Sequence, residues 1–164
     1  MGLMTAIRDI RTIKRLLTGA ETEARAAGEA VPGPEHLLLS AAELPDGTAG
    51  RALAAVDTDV AALRAAVTAV HDDALTGLGL DAGPAPALAA PATGPLRTSP
   101  QAQQVFQRAV ELSRSATPAG LRGAHVVAAA AELERGTAAR ALRRLGIERD
   151  QVLAAARVEG GVPA

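Results

Sequence analysis

At 164 residues, the chain has enough material for one domain or for two small halves that share a core. It is 48% hydrophobic but only 1% aromatic, so its interior is built from Ala, Leu and Val, which suits closely packed helices better than a sheet. A net charge of −1, a pI of about 6.3 and the lack of aromatic platforms argue against nucleic acid as a partner; the absence of cysteine excludes disulfides, thiolate metal sites and a Cys nucleophile.

Residues 5–27 have apolar side chains at helical spacing (Ile7, Ile10, Ile13, Leu16, Leu17), with Arg8, Arg11, Lys14 and Arg15 mostly off that face. Gly19 is a candidate kink. These charges also break up any apolar targeting core, and no uncharged run approaches the roughly 20 residues of a membrane span. The expectation is a cytoplasmic protein that meets neither membrane nor nucleic acid.

A loop over 28–33 precedes Pro34, which suits a first helical position, and Glu35, whose carboxylate complements the helix dipole. Leu37, Leu38, Ala41 and Leu44 form the buried face of this second helix, and Pro45-Asp46-Gly47 stops it. A third helix runs from Thr48 to about Ala55, and a fourth, capped by Asp57 or Thr58, covers 59–70. From about Thr76 to Leu96 the composition turns to Gly, Pro, Ala and Thr, which reads as a linker. Thr98 or Ser99, followed by Pro100, opens a helix to about Ser115; three more follow over 125–133, 137–145 and 149–156.

The stretch from His36 to Leu53 recurs without a gap from His125 to Leu142, at an offset of 89 residues and with 11 identities over 18 positions. The shared His, Glu-Leu, Gly-Thr and Arg-Ala-Leu mark an internal duplication. The fold class expected is therefore all-α, with two pseudo-twofold-related repeats of about four helices each. The division is 1–75 for the first repeat, 76–97 for the linker, 98–158 for the second repeat and 159–164 for a tail. Units of this size cannot bury their faces alone, so the copies should pack on each other.

At Gly33-Pro34-Glu35-His36-Leu37-Leu38-Leu39 and Gly136-Thr137-Ala138-Ala139-Arg140-Ala141-Leu142 the chain resembles the N-terminal Clp R (double Clp-N repeat) domain of Clp/Hsp100 ATPases, most similar to the ClpC type. Leu145-Gly146-Ile147 keeps the family's Leu-Gly-Val element, which Val56-Asp57-Thr58 has lost, and Ser99-Pro100 matches its Thr-Pro helix start. No phosphate-binding loop of the Gly-x-x-x-x-Gly-Lys-Ser/Thr type is present, and the only lysine is Lys14. The resemblance therefore implies the substrate-recruiting module as a stand-alone domain without ATPase modules.

That resemblance implies a non-enzymatic module without cofactors. It binds polypeptides or peptide-like ligands, engages Clp ATPase or protease components, and regulates proteolysis or sequesters ligands, cyclic-peptide antibiotics included. The alternative is an oligomeric scaffold with no Clp partner. In ClpC-type domains a Thr-Glu pair at each repeat's helix start binds phosphoarginine. By position the first repeat offers Pro34, Glu35 and His36, whereas the second has Gly123-Ala124 and no carboxylate. The competing role for Glu35 is helix-dipole support of about 0.3–1 kcal/mol. A second candidate surface is the groove beside the linker, with Leu78, Leu80, Leu88 and Leu96. His36 and His125 are expected to hold the loops before their helices, Arg51 and Arg140 to cap or pair within their own repeats, and His71-Asp72-Asp73 to be a solvated helix end. No metal site and no catalytic constellation are expected.

Overall fold

The structure, a computed structural model, describes residues 2–81, 83 and 97–163. Among these residues are eight α-helices and no strand: α1 (Gly2–Ala26), α2 (Pro34–Ala42), α3 (Thr48–Ala54), α4 (Val60–Gly77), α5 (Pro100–Ser115), α6 (Gly123–Ala131), α7 (Thr137–Arg144) and α8 (Arg149–Gly160). The 89-residue offset of the sequence repeat extends to all four helix pairs. It links the starts of α2 and α6 (Pro34, Gly123), α3 and α7 (Thr48, Thr137), and α4 and α8 (Val60, Arg149), and the ends of α1 and α5 (Ala26, Ser115).

Local chemistry sets the helix boundaries. Asp59, not Asp57 or Thr58, caps α4: its Oδ1 accepts the Ala62 amide at 2.8 Å. The helix then continues past Val70 to Gly77. Ser99 Oγ accepts the Ala102 amide at 3.1 Å, and Pro100 opens α5 without wasting a donor. Asp57 has φ +56°, the left-handed conformation that Gly146 (φ +70°) adopts at the equivalent place in the second repeat. The left-handed turn survives in the first repeat although its sequence has become Val56-Asp57-Thr58.

Gly19 does not split α1, which is unbroken. A Cβ at Gly19 would overlap the Ser40 hydroxyl, and that hydroxyl donates to the Leu16 carbonyl at 2.8 Å. The glycine is where α1 lies against α2.

The two repeats share one core. It takes Leu16, Leu37, Leu38, Leu53 and Leu63 from the first half and Val105, Val126, Val127 and Val152 from the second. At its centre α2 packs beside α6. All nine residues of α6 and eight of the nine in α2 are buried, as expected of helices covered on every side. The outer helices are exchanged: α3 packs on α8 of the other repeat, and α7 on α4. Arg51 accordingly pairs with Glu159 of the second repeat (2.7 Å), a correction to the expectation of pairing within a repeat. Among the described residues Arg140 forms no such pair, because its counterpart partner position is Val70; the nearby link from α7 to α4 is Arg144–Asp73 at 2.6 Å.

Alanine makes this interlock possible. At Gly123 a Cβ would come within 2.7 Å of the Ala41 carbonyl and 2.9 Å of the Ala49 Cβ, so the backbones of the two repeats are already in contact there. No helix among the described residues is long and apolar enough to cross a membrane.

Candidate functional site

The 28–33 loop delivers the chain into α2, and the Pro32 carbonyl anchors it by accepting the Ser99 amide at 2.9 Å. His36, 1% exposed, locks the turn: its Nδ1 accepts the Gly33 amide at 3.0 Å. The second repeat repeats the device, with His125 Nδ1 accepting the Arg122 amide at 3.1 Å. Each ring nitrogen holds the loop before its helix. Burial holds both imidazoles below the ordinary His pKa; for His36 the neighbouring Glu35 opposes the shift, and for His125 the Gly160 carbonyl does.

The other ring nitrogens differ. His125 Nε2 lies 3.0 Å from the Gly160 carbonyl; with Nδ1 accepting, Nε2 carries the proton and donates it. A Cβ at Gly160 would approach that ring to 2.9–3.0 Å. The position equivalent to Gly160 in the first repeat is His71. There His36 Nε2 is buried and has no hydrogen-bond partner.

Glu35, at the first turn of α2, is 6% exposed. Its carboxylate folds back over Gly33, where a Cβ would collide with it. Among the described residues the one basic nitrogen within ion-pair range of Glu35 Oε1 is His36 Nδ1 at 3.5 Å, and that nitrogen is already an acceptor, so the contact is not a hydrogen bond. Pro34 is buried at the helix start and offers no amide. Among the described residues no side chain or backbone group accepts the Glu35 amide, so this helix end is uncapped.

Two residues not singled out as partners in the sequence complete the surroundings. Glu29, from the preceding loop, and His71, from α4, converge on Glu35: one ligand atom from each of the three lies within 4.8 Å of the others. His71 Nδ1 is 3.0 Å from Glu29 Oε1, yet that oxygen, shielded from solvent, makes no properly directed hydrogen bond. His71 is therefore not a plain solvated helix end. Its partners come from 36 and 42 residues away, a distance that no local motif records.

The corresponding end of α6 is closed. Asp46, in the turn before α3, accepts the Gly123 amide at 3.1 Å through Oδ2, and Thr48 Oγ1 accepts the Ala124 amide at 2.9 Å. The first repeat thus supplies the second repeat's cap. The positions matching Glu29, Glu35 and His71 hold Pro118, Ala124 and Gly160, so no polar cluster forms there.

The linker candidates divide. Leu78 and Leu80 are exposed, at 77% and 55%. Leu88 and Leu96 lie outside the described residues. A surface depression of about 490 Å³ lies elsewhere: Leu133, Ala139, Leu142 and Ile147 line it beside Arg143 and Arg149.

Two interlocked four-helix repeats, one helix start capped from the other repeat and its counterpart uncapped, define a double-repeat, all-α domain. Residues 11–145 match the model of the Clp repeat (R) N-terminal domain, and the chain belongs to that family, a module of Clp ATPases. Among solved structures it is similar to the N-terminal domain of the caseinolytic protease associated chaperone ClpD from Arabidopsis thaliana, with a TM-score of 0.60 and 22% identity over 88% of this chain and 89% of that one. At that identity the likeness shows the fold. No curated protein matches the chain.

Proposed function

We propose that the chain is a non-catalytic polypeptide-binding module that recruits substrates or adaptors to Clp proteolysis, and that its recognition end is the start of α2. The observation that carries this reading is the inequality of the two helix ends. The α6 amides are taken by Asp46 and Thr48, whereas the α2 end keeps an uncapped Glu35 amide beside the carboxylates of Glu35 and Glu29. Such an end complements a ligand with an anionic and a guanidinium group on one side chain, as phosphoarginine has: the helix end takes the phosphoryl oxygens and the carboxylates take the guanidinium. Pro34 removes one amide that a Thr would supply, and Glu35 must rotate outward from its place over Gly33 to engage a peptide.

Isothermal titration with a phosphoarginine peptide, an arginine peptide and a phosphoserine peptide tests this. Expected is one saturable site for phosphoarginine that Glu35→Ala weakens at least tenfold. Equal binding of all three peptides, or none, removes the α2 end as the recognition site. Exposed Leu78 and Leu80 are the alternative contact for apolar or cyclic peptides, tested by their replacement with Ser.

A further inference from the structure

We infer that Glu29, Glu35 and His71 form a binding site for a divalent transition-metal ion of the zinc type. Three observations converge on it. The first is geometry: one ligand atom from each residue, two carboxylate oxygens and one imidazole nitrogen, lies within 4.8 Å of the other two. Tetrahedral zinc with bonds of about 2.0–2.2 Å holds its ligand atoms about 3.4 Å apart, so side-chain adjustments of an ångström or so close the set around an ion and leave a fourth position for water.

The second is an unmet electrostatic demand. The Glu35 side chain is 8% exposed and accepts no hydrogen bond among the described residues: the one nitrogen there within ion-pair range, His36 Nδ1 at 3.5 Å, is itself occupied by the Gly33 amide. Glu29 Oε1 is likewise shielded and without a properly directed donor. A nearly buried carboxylate without a donor, as Glu35 is, is unfavourable, and a cation held between it, Glu29 and His71 removes that cost. Glu29 and His71, with side chains 34% and 30% exposed, leave a route for the ion from solvent.

The third comes from the duplication. The fold is built twice, and the second copy has Pro118, Ala124 and Gly160 at these three positions. The framework does not need the trio, although the loop-locking histidine is present in both copies. A set of side chains that the same architecture dispenses with elsewhere has a task other than folding. The mixture of one imidazole and two carboxylates, without thiolate, favours zinc-like ions over calcium and magnesium, which prefer all-oxygen sites.

The site shares Glu35 with the proposed peptide end but does not rest on that reading; metal and peptide guanidinium would compete. The test is titration of chelator-treated full-length protein with zinc chloride in a non-coordinating buffer, read by calorimetry. One saturable equivalent is expected, weakened at least tenfold by His71→Ala and by Glu29→Gln and unchanged by Glu132→Gln, a carboxylate paired with Arg108 on the other repeat. X-ray absorption on the zinc-loaded wild type supplies a reading independent of the variants: a first shell of nitrogen and oxygen containing one imidazole. Absence of a saturable equivalent, insensitivity to both substitutions, or a shell of several imidazoles overturns the proposal. Zinc uptake without phosphoarginine binding would support the metal site and reject the peptide reading; the reverse would reject the metal site alone.

Discussion

Replacing Asp46 by Ala tests the interlock between repeats at its most economical point. The Asp46 carboxylate accepts the Thr48 amide at 2.9 Å and the Gly123 amide at 3.1 Å, and it accepts a hydrogen bond from the Thr48 hydroxyl, which in turn accepts the Ala124 amide at 2.9 Å. It therefore caps α3 locally and orients the group that caps α6 from across the molecule. A helix cap contributes about 0.5–2 kcal/mol. Asp46 is exposed, so water replaces part of what is lost, and the two roles together come to about 2 kcal/mol. In a domain of this size that is a fall of about 4–8 °C in Tm. Thr48→Val leaves the Ala124 amide without its acceptor in a buried place and costs about 1–3 kcal/mol. Because both act through one relay, the double variant should lose less than the two single losses together, by at least about 0.5 kcal/mol. Urea unfolding of the four proteins measures this. A loss below about 0.5 kcal/mol for Asp46→Ala, or strict additivity, would refute the relay.

Further outcomes follow from the duplication. Gly50→Ala, which copies Ala139 of the second repeat into a place where the new Cβ meets nothing closer than 3.9 Å, should stabilise by about 0.5–1 kcal/mol; Gly123→Ala should destabilise by about 1–3 kcal/mol, because its Cβ meets backbone at 2.7 Å. Differential scanning calorimetry separates the two signs. Asp57→Gly should relieve a left-handed residue and gain about 0.5–1 kcal/mol in urea midpoint experiments, since no hydrogen bond of the Asp57 side chain is lost. Both buried histidines have folded-state pKa values below the unfolded value of about 6.5. The unfolded chain therefore takes up protons first as pH falls, and stability present above about 6.5 declines below it until the folded-state values are reached, at a slope of up to about 1.4 kcal/mol per pH unit for each His. His125→Gln should reduce that slope, as measured by unfolding at pH 7.5, 6.5 and 5.5.

The duplication was legible because the chain repeats a His, a Gly-Thr and an Arg-Ala-Leu in one register, and residues that recur in order occupy equivalent places. Even Asp57, where the sequence motif is broken, keeps the glycine's conformation. The exchange of outer helices was not legible, since helical periodicity shows which face is apolar and not which helix covers it; Arg51 reaches Glu159 for that reason. The environment of Glu35 was half visible. Its place at a helix start followed from Pro34 and from the resemblance, but Glu29 and His71 come from a loop and a distant helix whose approach depends on packing. Closure of the second helix end by Asp46 and Thr48 was hidden likewise: in sequence they form a turn-and-cap pair belonging to α3, and only the contact between repeats gives them a second role.

The central functional claim is that the first repeat alone presents a recognition end. The most direct measurement is a backbone amide NMR titration of the isotopically labelled chain with a phosphoarginine peptide. The account predicts saturable shifts centred on Gly33, Glu35 and His36, with Gly123 and Ala124 unmoved because Asp46 and Thr48 already hold their amides. Equal shifts at both helix ends, or shifts at neither, would contradict it.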